Sequence, residues 1–245
     1  MVAAVAVQLD SRAAYSALIL ANALSYLLTA VIAARLPHLA PVPTPPGASK
    51  RVALRDRRYL AFTALSALTG LQGDVLLFVL PLWIVGHTDA PHWLVGATAL
   101  LNTLMVVALQ VRTGRDVRTD TDAARLWRRA GWAFLAGMTL TAFATGQPAW
   151  LAALLLLLGM AVHTTGELWQ AVGSFELRYS LAPAHAQGEY AGVLKLGTGI
   201  ADALAPSLLA LLCLTWGRPG WLLLGTVLAL AGHAVPHLLR EPRPA

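Results

Sequence analysis

Long runs of apolar residues are the feature that most limits how this chain can fold. Seven such runs lie at about residues 12–36, 59–86, 93–111, 130–147, 149–175, 190–214 and 220–239. A helix that crosses the hydrocarbon core of a bilayer needs about 20 apolar residues, which most of these runs provide. Only 12% of the residues are charged, whereas a soluble domain has about 25%. The sequence therefore predicts an all-α integral membrane protein with seven transmembrane helices.

Several other classes of protein are disfavoured by the same pattern. A transmembrane barrel needs alternating segments of about ten residues, and the apolar runs do not alternate. The sequence has no G-x-S-x-G, H-E-x-x-H or P-loop motif, so we expect neither an enzyme nor a bound cofactor or metal. The formal net charge is +6, but the cations lie mainly between apolar runs. That placement fits membrane topology, and we expect no nucleic-acid partner.

The basic residues also predict an orientation. Most Lys and Arg residues fall between the first and second runs, between the third and fourth, or near the C-terminus. Short loops rich in Lys and Arg stay in the cytoplasm. We therefore expect a multi-pass protein of the plasma (inner) membrane, with the N-terminus outside and the C-terminus in the cytoplasm.

Composition divides the chain into three parts. Residues 1–36 contain one isolated apolar run, and residues 37–58 form a Pro-rich and then basic cytoplasmic linker. Such a linker is expected to be a loose, partly extended tether. Residues 59–245 contain the other six runs and a short cytoplasmic tail, which predicts a bundle of six helices.

Three segments of the chain are distinctive, namely Gln8 to Pro37, VRTGRDVRTDTDAARLWRRAG from Val111 and ELRYSLAPAHAQGEYAG from Glu176. Together they resemble the C-terminal part of a major facilitator superfamily transporter of the drug/proton antiporter type. Residues Gln8 to Pro37 are similar to that family's sixth helix, with a polar lead-in and an exit into a basic loop. The segment VRTGRDVRTDTDAARLWRRAG, from Val111, stands where the second half repeats a degenerate Gly-Arg-Asp-Arg loop motif. The segment ELRYSLAPAHAQGEYAG, from Glu176, resembles the loop before the penultimate helix, although Gln187 stands where Arg is commoner.

The resemblance implies a fold and an activity. The first helix would be the family's sixth, residues 37–58 its central loop, and the last six helices its second half. Nothing in the chain matches the first five helices of that family. The resemblance therefore implies a missing N-terminal half, or a second copy of the chain, as a partner.

Charged residues inside apolar runs are the candidate functional residues. A charge at the centre of a membrane helix costs about 2.5–3.5 kcal/mol on insertion scales, so it usually faces a bundle interior or a water-filled cavity. The fifth run contains Glu167, and the spacing of His163 and Gln170 places both on its helix face. Glu167 is the first candidate for a proton- or substrate-binding carboxylate, and Trp169 is a candidate for stacking on a substrate. Alternatively, Glu167 forms a structural ion pair with Lys195 or Arg178.

Three further charges lie in the second and sixth runs. Lys195 and Asp202 are seven residues apart and share a helix face, so Asp202 is a second candidate for coupling. Alternatively, this pair neutralises neighbours and fixes helix packing. Asp74 is a third candidate carboxylate, or else makes a structural hydrogen bond. His163 and Glu167 have the i, i+4 spacing of a metal pair, but His233 would have to complete the site, and we predict no metal.

The loop between the third and fourth runs is the candidate gate. The family resemblance implies that Arg112, Arg115, Asp116 and Arg118 contact helix ends and stabilise one of two transport states. The sequence thus predicts a secondary active transporter that moves a small molecule by alternating access, with proton-coupled efflux as the mode. The alternative is a truncated or half-transporter remnant without transport of its own, which acts only as a membrane interaction protein.

Overall fold

The computed structural model of the chain describes residues 11–36, 42–43, 45, 51–115 and 117–240. These residues form helices, turns and loops, and none of them lies in a β-strand. Close approaches between Cα atoms divide the chain into two compact units, Met1–Pro43 and Thr44–Ala245. The all-helical class expected from the apolar runs is confirmed for the described residues.

The described residues of the first unit form one helix, α1, from Arg12 to Ala34. Ser11 caps its N-terminus, because the Ser11 hydroxyl oxygen accepts a hydrogen bond from the backbone N–H of Ala14 at 3.2 Å. Within the helix, the Thr29 hydroxyl donates to the Ser25 carbonyl oxygen at 2.8 Å. A polar side chain that hydrogen-bonds to its own helix leaves no unsatisfied polar group exposed to lipid.

The second unit contains six helices that are joined by short connections. They are α2 (Arg57–His87), α3 (Leu94–Gly114), α4 (Asp120–Ala142), α5 (Ala149–Ser180), α6 (Ala184–Thr215) and α7 (Arg218–Arg240). Helix α2 is interrupted after Gly70 and has a π-helical segment, Val75–Val79. Helix α6 begins as a 3₁₀ turn and ends in a π-helical segment, Ala210–Thr215. Helix α5, by contrast, is a continuous α-helix of 32 residues.

Of the seven helices in the described part of the chain, six are long and apolar enough to cross a membrane, which is the composition of a multi-pass membrane protein. The exception is α4. The apolar run predicted at 130–147 was wrong in its bounds, since α4 begins at Asp120 and ends at Ala142. The early start follows from Thr119, whose side chain accepts from the backbone N–H of Asp122 and caps the helix. The early end follows from a turn in which Gly146 has a φ of 73°.

Helix α4 packs between α5 and α7 and makes the closest helix contacts in the unit with them. The contact with α5 follows a stripe of glycines at seven-residue spacing, Gly159, Gly166 and Gly173. A Cβ atom at Gly173 would lie 2.6 Å from Trp127 Cδ1, and one at Gly159 would lie 2.9 Å from the carbonyl oxygen of Gly137. Small residues of this kind let two membrane helices approach closely. The glycines therefore define the α4–α5 interface.

Glycines also bring α7 against the other side of α4. A Cβ atom at Gly232 would lie 2.6 Å from the Trp127 carbonyl oxygen, and one at Gly225 would lie 3.1 Å from Leu135 Cα. The aromatic residues Trp127 and Phe134 are almost completely buried at these two interfaces. Helix α4 is thus enclosed on two sides along most of its length.

One end of the unit gathers the loop before α2, the start of α6 and the end of α7. Asp56 caps α2, and the Tyr190 hydroxyl donates to the second Asp56 carboxylate oxygen at 2.9 Å. The backbone N–H of Ala53 donates to a Glu189 carboxylate oxygen at 3.0 Å, and Ala53 is fully buried. The linker was expected to be loose up to residue 58, but its last described residues, 51–56, pack against the bundle.

The opposite end gathers the C-terminal end of α2, the turn after α4 and the start of α7. The Trp83 indole N–H donates to the carbonyl oxygen of Thr141 at 3.2 Å, and the Trp83 and Trp221 rings lie 5.6 Å apart. Arg218 donates to the carbonyl oxygen of Thr145. The connections therefore fall alternately at two ends of the unit, as in an up-and-down helix bundle.

The glycine stripe yields a stability prediction. We expect Gly173→Ala to lower the free energy of unfolding by about 1–3 kcal/mol, because the added methyl group would overpack the contact with Trp127. The measurement is reversible unfolding of the purified chain in mixed micelles with increasing denaturing detergent.

The matched control for this prediction is Gly199→Ala in α6, since a Cβ atom there meets nothing within 4 Å. Alanine favours a helix over glycine by about 0.5–1 kcal/mol, so this variant should be neutral or more stable. Equal destabilisation by both substitutions would contradict a tight α4–α5 contact.

Candidate functional site

A cleft lies between α5 on one side and the α2–α6 pair on the other. Helices α2 and α6 pack closely together, whereas α5 packs mainly against α4 and α3. Two cavities of about 450 Å³ each lie in the cleft, at successive levels, and both are lined by residues of α2, α5 and α6. The candidate site is therefore an open space bordered by three helices of one bundle, and of the candidate residues it is Lys195 that lines it.

Glu167 lies half-buried near the middle of α5 and contacts α3. One of its carboxylate oxygens accepts a hydrogen bond from the Asn102 side-chain amide at 2.8 Å. The same amide nitrogen lies 3.1 Å from the Thr164 hydroxyl oxygen. Among the described residues the only ion pair within 4 Å joins Asp122 and Arg125, so the structural ion pair of Glu167 with Lys195 or Arg178 is not formed. Glu167 is held by a neutral amide instead of a cation.

His163 shares the helix face of Glu167 but makes a different contact. Its Nε2 atom lies 2.9 Å from the Gln72 amide oxygen of α2, and its ring packs 5.1 Å from that of Phe134. This hydrogen bond joins α5 to α2 across the cleft. His233, the third group that a metal site would need, packs its ring against Trp132. No group of three metal-binding side chains occurs in the part of the chain that the structure describes.

Lys195, Asp202 and Asp74 occupy the α2–α6 side. Lys195 and Asp202 are exposed on α6, and Asp74 is half-buried at the interruption of α2. Asp74 and Asp202 are close enough for their charges to interact. None of the three forms an ion pair within the described residues, so the alternative that Lys195 and Asp202 neutralise neighbouring charges finds no ion pair there.

The other two candidates on α5 are packed more deeply. Gln170 is buried, with 8% of its surface exposed. Trp169 is partly buried and packs against the main apolar core. The structure thus places Gln170 on the same helix face as Glu167, whereas Trp169 belongs at least partly to the core.

The candidate gating loop lies at the end of the bundle that also holds the 51–56 segment. Arg112, Arg115 and Arg118 are all exposed, and Asp116 lies outside the described residues. Directly after this loop, at the start of α4, the Thr119 hydroxyl donates a hydrogen bond to an Asp122 carboxylate oxygen at 2.6 Å. That bond, followed by backbone donors and the Arg125 guanidinium, holds the pKa of Asp122 below its usual value. The predicted contact of these arginines with helix ends stays a prediction.

Two partners of the candidate residues were missed in the sequence, namely Asn102 for Glu167 and Gln72 for His163. Both are amides within apolar runs, and that placement is the signal that could have flagged them. Two further groups, the Tyr190 hydroxyl and the Gln187 amide, form hydrogen bonds at the end of the cleft. Gln187 stands where the resembled family has Arg, and its amide donates to the carbonyl oxygens of Ala182 and Tyr179, at 2.8 and 3.3 Å. It therefore caps the end of α5.

Comparisons with known proteins leave the family open. A scan of the chain against protein-family models found no match, and a search of curated proteins found none either. The resemblance to a major facilitator superfamily transporter therefore stays a prediction, carried by the three segments quoted above.

The hydrogen bond across the cleft yields the second prediction. Replacing Gln72 or His163 with Ala should destabilise the bundle, and a double-mutant cycle should give a coupling free energy of about 0.6–1.7 kcal/mol, as for other hydrogen bonds between membrane helices. The measurement is unfolding of the single and double variants in mixed micelles. A control cycle of His163→Ala with Gln187→Ala, at the end of α5, should give a coupling near zero. Coupling as small in the first cycle as in the control would contradict the contact.

Proposed function

We propose that the chain is part of a secondary active transporter of the major facilitator type, which moves a small molecule by alternating access and exchanges it for a proton. The observation that carries this proposal is the state of Glu167. Its carboxylate is half-buried in the middle of an apolar span and is held by the Asn102 amide without a cation in ion-pair contact. Such a group can gain or lose a proton without breaking an ion pair, which is what a coupling carboxylate must do.

The exposed charges of α6 support the need for a second six-helix half. Lys195 and Asp202 lie within an apolar span, yet both are exposed in this chain. A charge that faces lipid at the centre of a span costs about 2.5–3.5 kcal/mol on insertion scales. This face therefore suits a water-filled cavity shared with another bundle better than contact with lipid. The partner in this proposal is the missing N-terminal half or a second copy of the chain.

The proposal includes seven membrane crossings, with α4 as the seventh. The apolar part of α4 is short, but α4 follows α5 from the level of Gly173 to that of Gly159. Fourteen residues of an α-helix extend about 21 Å, so α4 crosses most of the bilayer core beside α5. The arginines at its start, Arg128 and Arg129, are exposed and can extend towards the membrane surface.

Seven crossings are consistent with the orientation predicted from the basic loops. In this orientation the protein lies in the plasma membrane, with its N-terminus outside the cell and its C-terminus in the cytoplasm. The cleft end that holds Asp56 and Tyr190 would then face the cytoplasm, together with the arginine-rich loop before α4.

The third prediction tests the coupling role of Glu167. Membrane vesicles that contain the chain are given a pH gradient, and a pH-sensitive dye reports its decay when a panel of small organic anions and cations is added. We expect at least one compound to accelerate the decay with the unaltered chain. Glu167→Gln should abolish that effect, because an amide cannot carry the proton.

The matched control is Glu176→Gln, which removes a carboxylate from the same helix, nine residues away. It should leave the compound-driven decay unchanged. The rival function, a remnant without transport, predicts no effect from neutralising Asp74, Glu167 or Asp202. Unchanged coupling in Glu167→Gln would contradict the proposed role.

A further inference from the structure

The deeper of the two cleft cavities has an unusual balance of charge. Its lining includes two charged side chains, Arg178 of α5 and Lys195 of α6, and both are cations. No carboxylate is among the lining residues. Within the described chain neither cation has an acidic partner within 4 Å. Two unpaired positive charges on opposite walls of one cavity raise the local concentration of anions.

Arg178 is held in place by aromatic rings. Its guanidinium carbon lies 5.5 Å from the centre of the Phe175 ring and 4.9 Å from that of Tyr179. Cation–π contacts of this kind orient the guanidinium, and among the described residues its N–H groups are not bonded to a carboxylate. The planar group thus remains able to donate two parallel hydrogen bonds to a carboxylate or phosphate oxygen pair.

Neutral donors in the same cavity complete the lining. Ser174 of α5 and Thr198 of α6 each contribute a hydroxyl group. Ser66 of α2 also lines the cavity, but its hydroxyl oxygen is buried and has no hydrogen-bond partner in the described part of the chain.

The remaining walls are apolar. Phe175 contributes aromatic surface and Leu194 contributes an aliphatic side chain, whereas Phe62 lies completely buried behind them. A volume of about 450 Å³ lies within the range of small-molecule pockets. The lining therefore combines an apolar wall with two cations and several hydroxyl groups.

We infer that this cavity binds a small organic anion, with its carboxylate between Arg178 and Lys195 and its apolar part against Phe175 and Leu194. The inference names the substrate class of the proposed transport cleft and so rests on the proposed function. Glu167 lies on the same face of α5, seven residues before Ser174, and hence about two helical turns further along the cleft. The anion site and the coupling carboxylate are thus separate groups on one helix.

The test compares three probes of similar shape and different charge, namely benzoate, benzamide and benzylamine. Their binding to the purified chain in detergent micelles is measured by isothermal titration calorimetry. Benzoate should bind at least tenfold more tightly than benzamide, and benzylamine should bind more weakly still. Lys195→Gln and Arg178→Gln should each weaken benzoate binding about ten- to a hundredfold, the usual contribution of a hydrogen bond to a charged group, with little change for benzamide.

Arg57→Gln is the matched control, since Arg57 is exposed at the start of α2 and does not line the cavity. It should leave benzoate binding unchanged, and thermal unfolding without probe should show that all variants are folded. Benzylamine binding more tightly than benzoate would overturn the inference, and so would benzoate binding that survives when Lys195→Gln and Arg178→Gln are combined in one variant. If benzoate binds selectively but Glu167→Gln still couples proton movement to transport, the transport mechanism is refuted and the anion site is not. Coupling that depends on Glu167 without selective benzoate binding would refute the anion site alone.

Discussion

Helix α4 lies so close to α5 and α7 that side chains larger than hydrogen are excluded at the points of contact. Gly159, Gly166 and Gly173 of α5 face one side of it, and Gly225 and Gly232 of α7 face the other. Lipid tails are as apolar as leucine, so close packing of this kind, and not the hydrophobic effect, holds membrane helices together. This packing keeps α4, the most polar helix of the unit, beside apolar helices. It also fixes the rotation of α5 about its own axis, and so determines which of its side chains face the cleft.

The cleft follows from that orientation. Glu167 comes directly after Gly166, so its side chain lies about 100° around the helix from the contact with α4. The same face contains Ser174 and Arg178, one behind the other. On the other side of the cleft, α2 and α6 both contain π-helical segments, whereas α5 is continuous. The backbones on the two sides of the cleft thus differ in regularity, and π-helical segments occur often at functional sites.

The sequence alone located the helices and flagged the charges, because both signals are local. An apolar run of about 20 residues, or a carboxylate inside one, can be recognised without knowing what lies next to it. The partners could not be found in this way. Asn102 is 65 residues from Glu167, and Gln72 is 91 residues from His163. The bounds of α4 were also missed, because its first ten residues are amphipathic and begin at a threonine cap that hydropathy ignores.

The most direct test of this account is whether α4 crosses the membrane. Cys213 is buried and is the chain's single cysteine, so Cys213→Ser gives a background without thiols. Arg118→Cys, before α4, and Ala149→Cys, after it, are then labelled in sealed cells or inverted vesicles with a maleimide that does not cross membranes. If α4 crosses the membrane, Ala149→Cys is labelled from outside only and Arg118→Cys from the cytoplasmic side only. Labelling of both positions from the same side would contradict seven crossings, and with them the half-transporter fold.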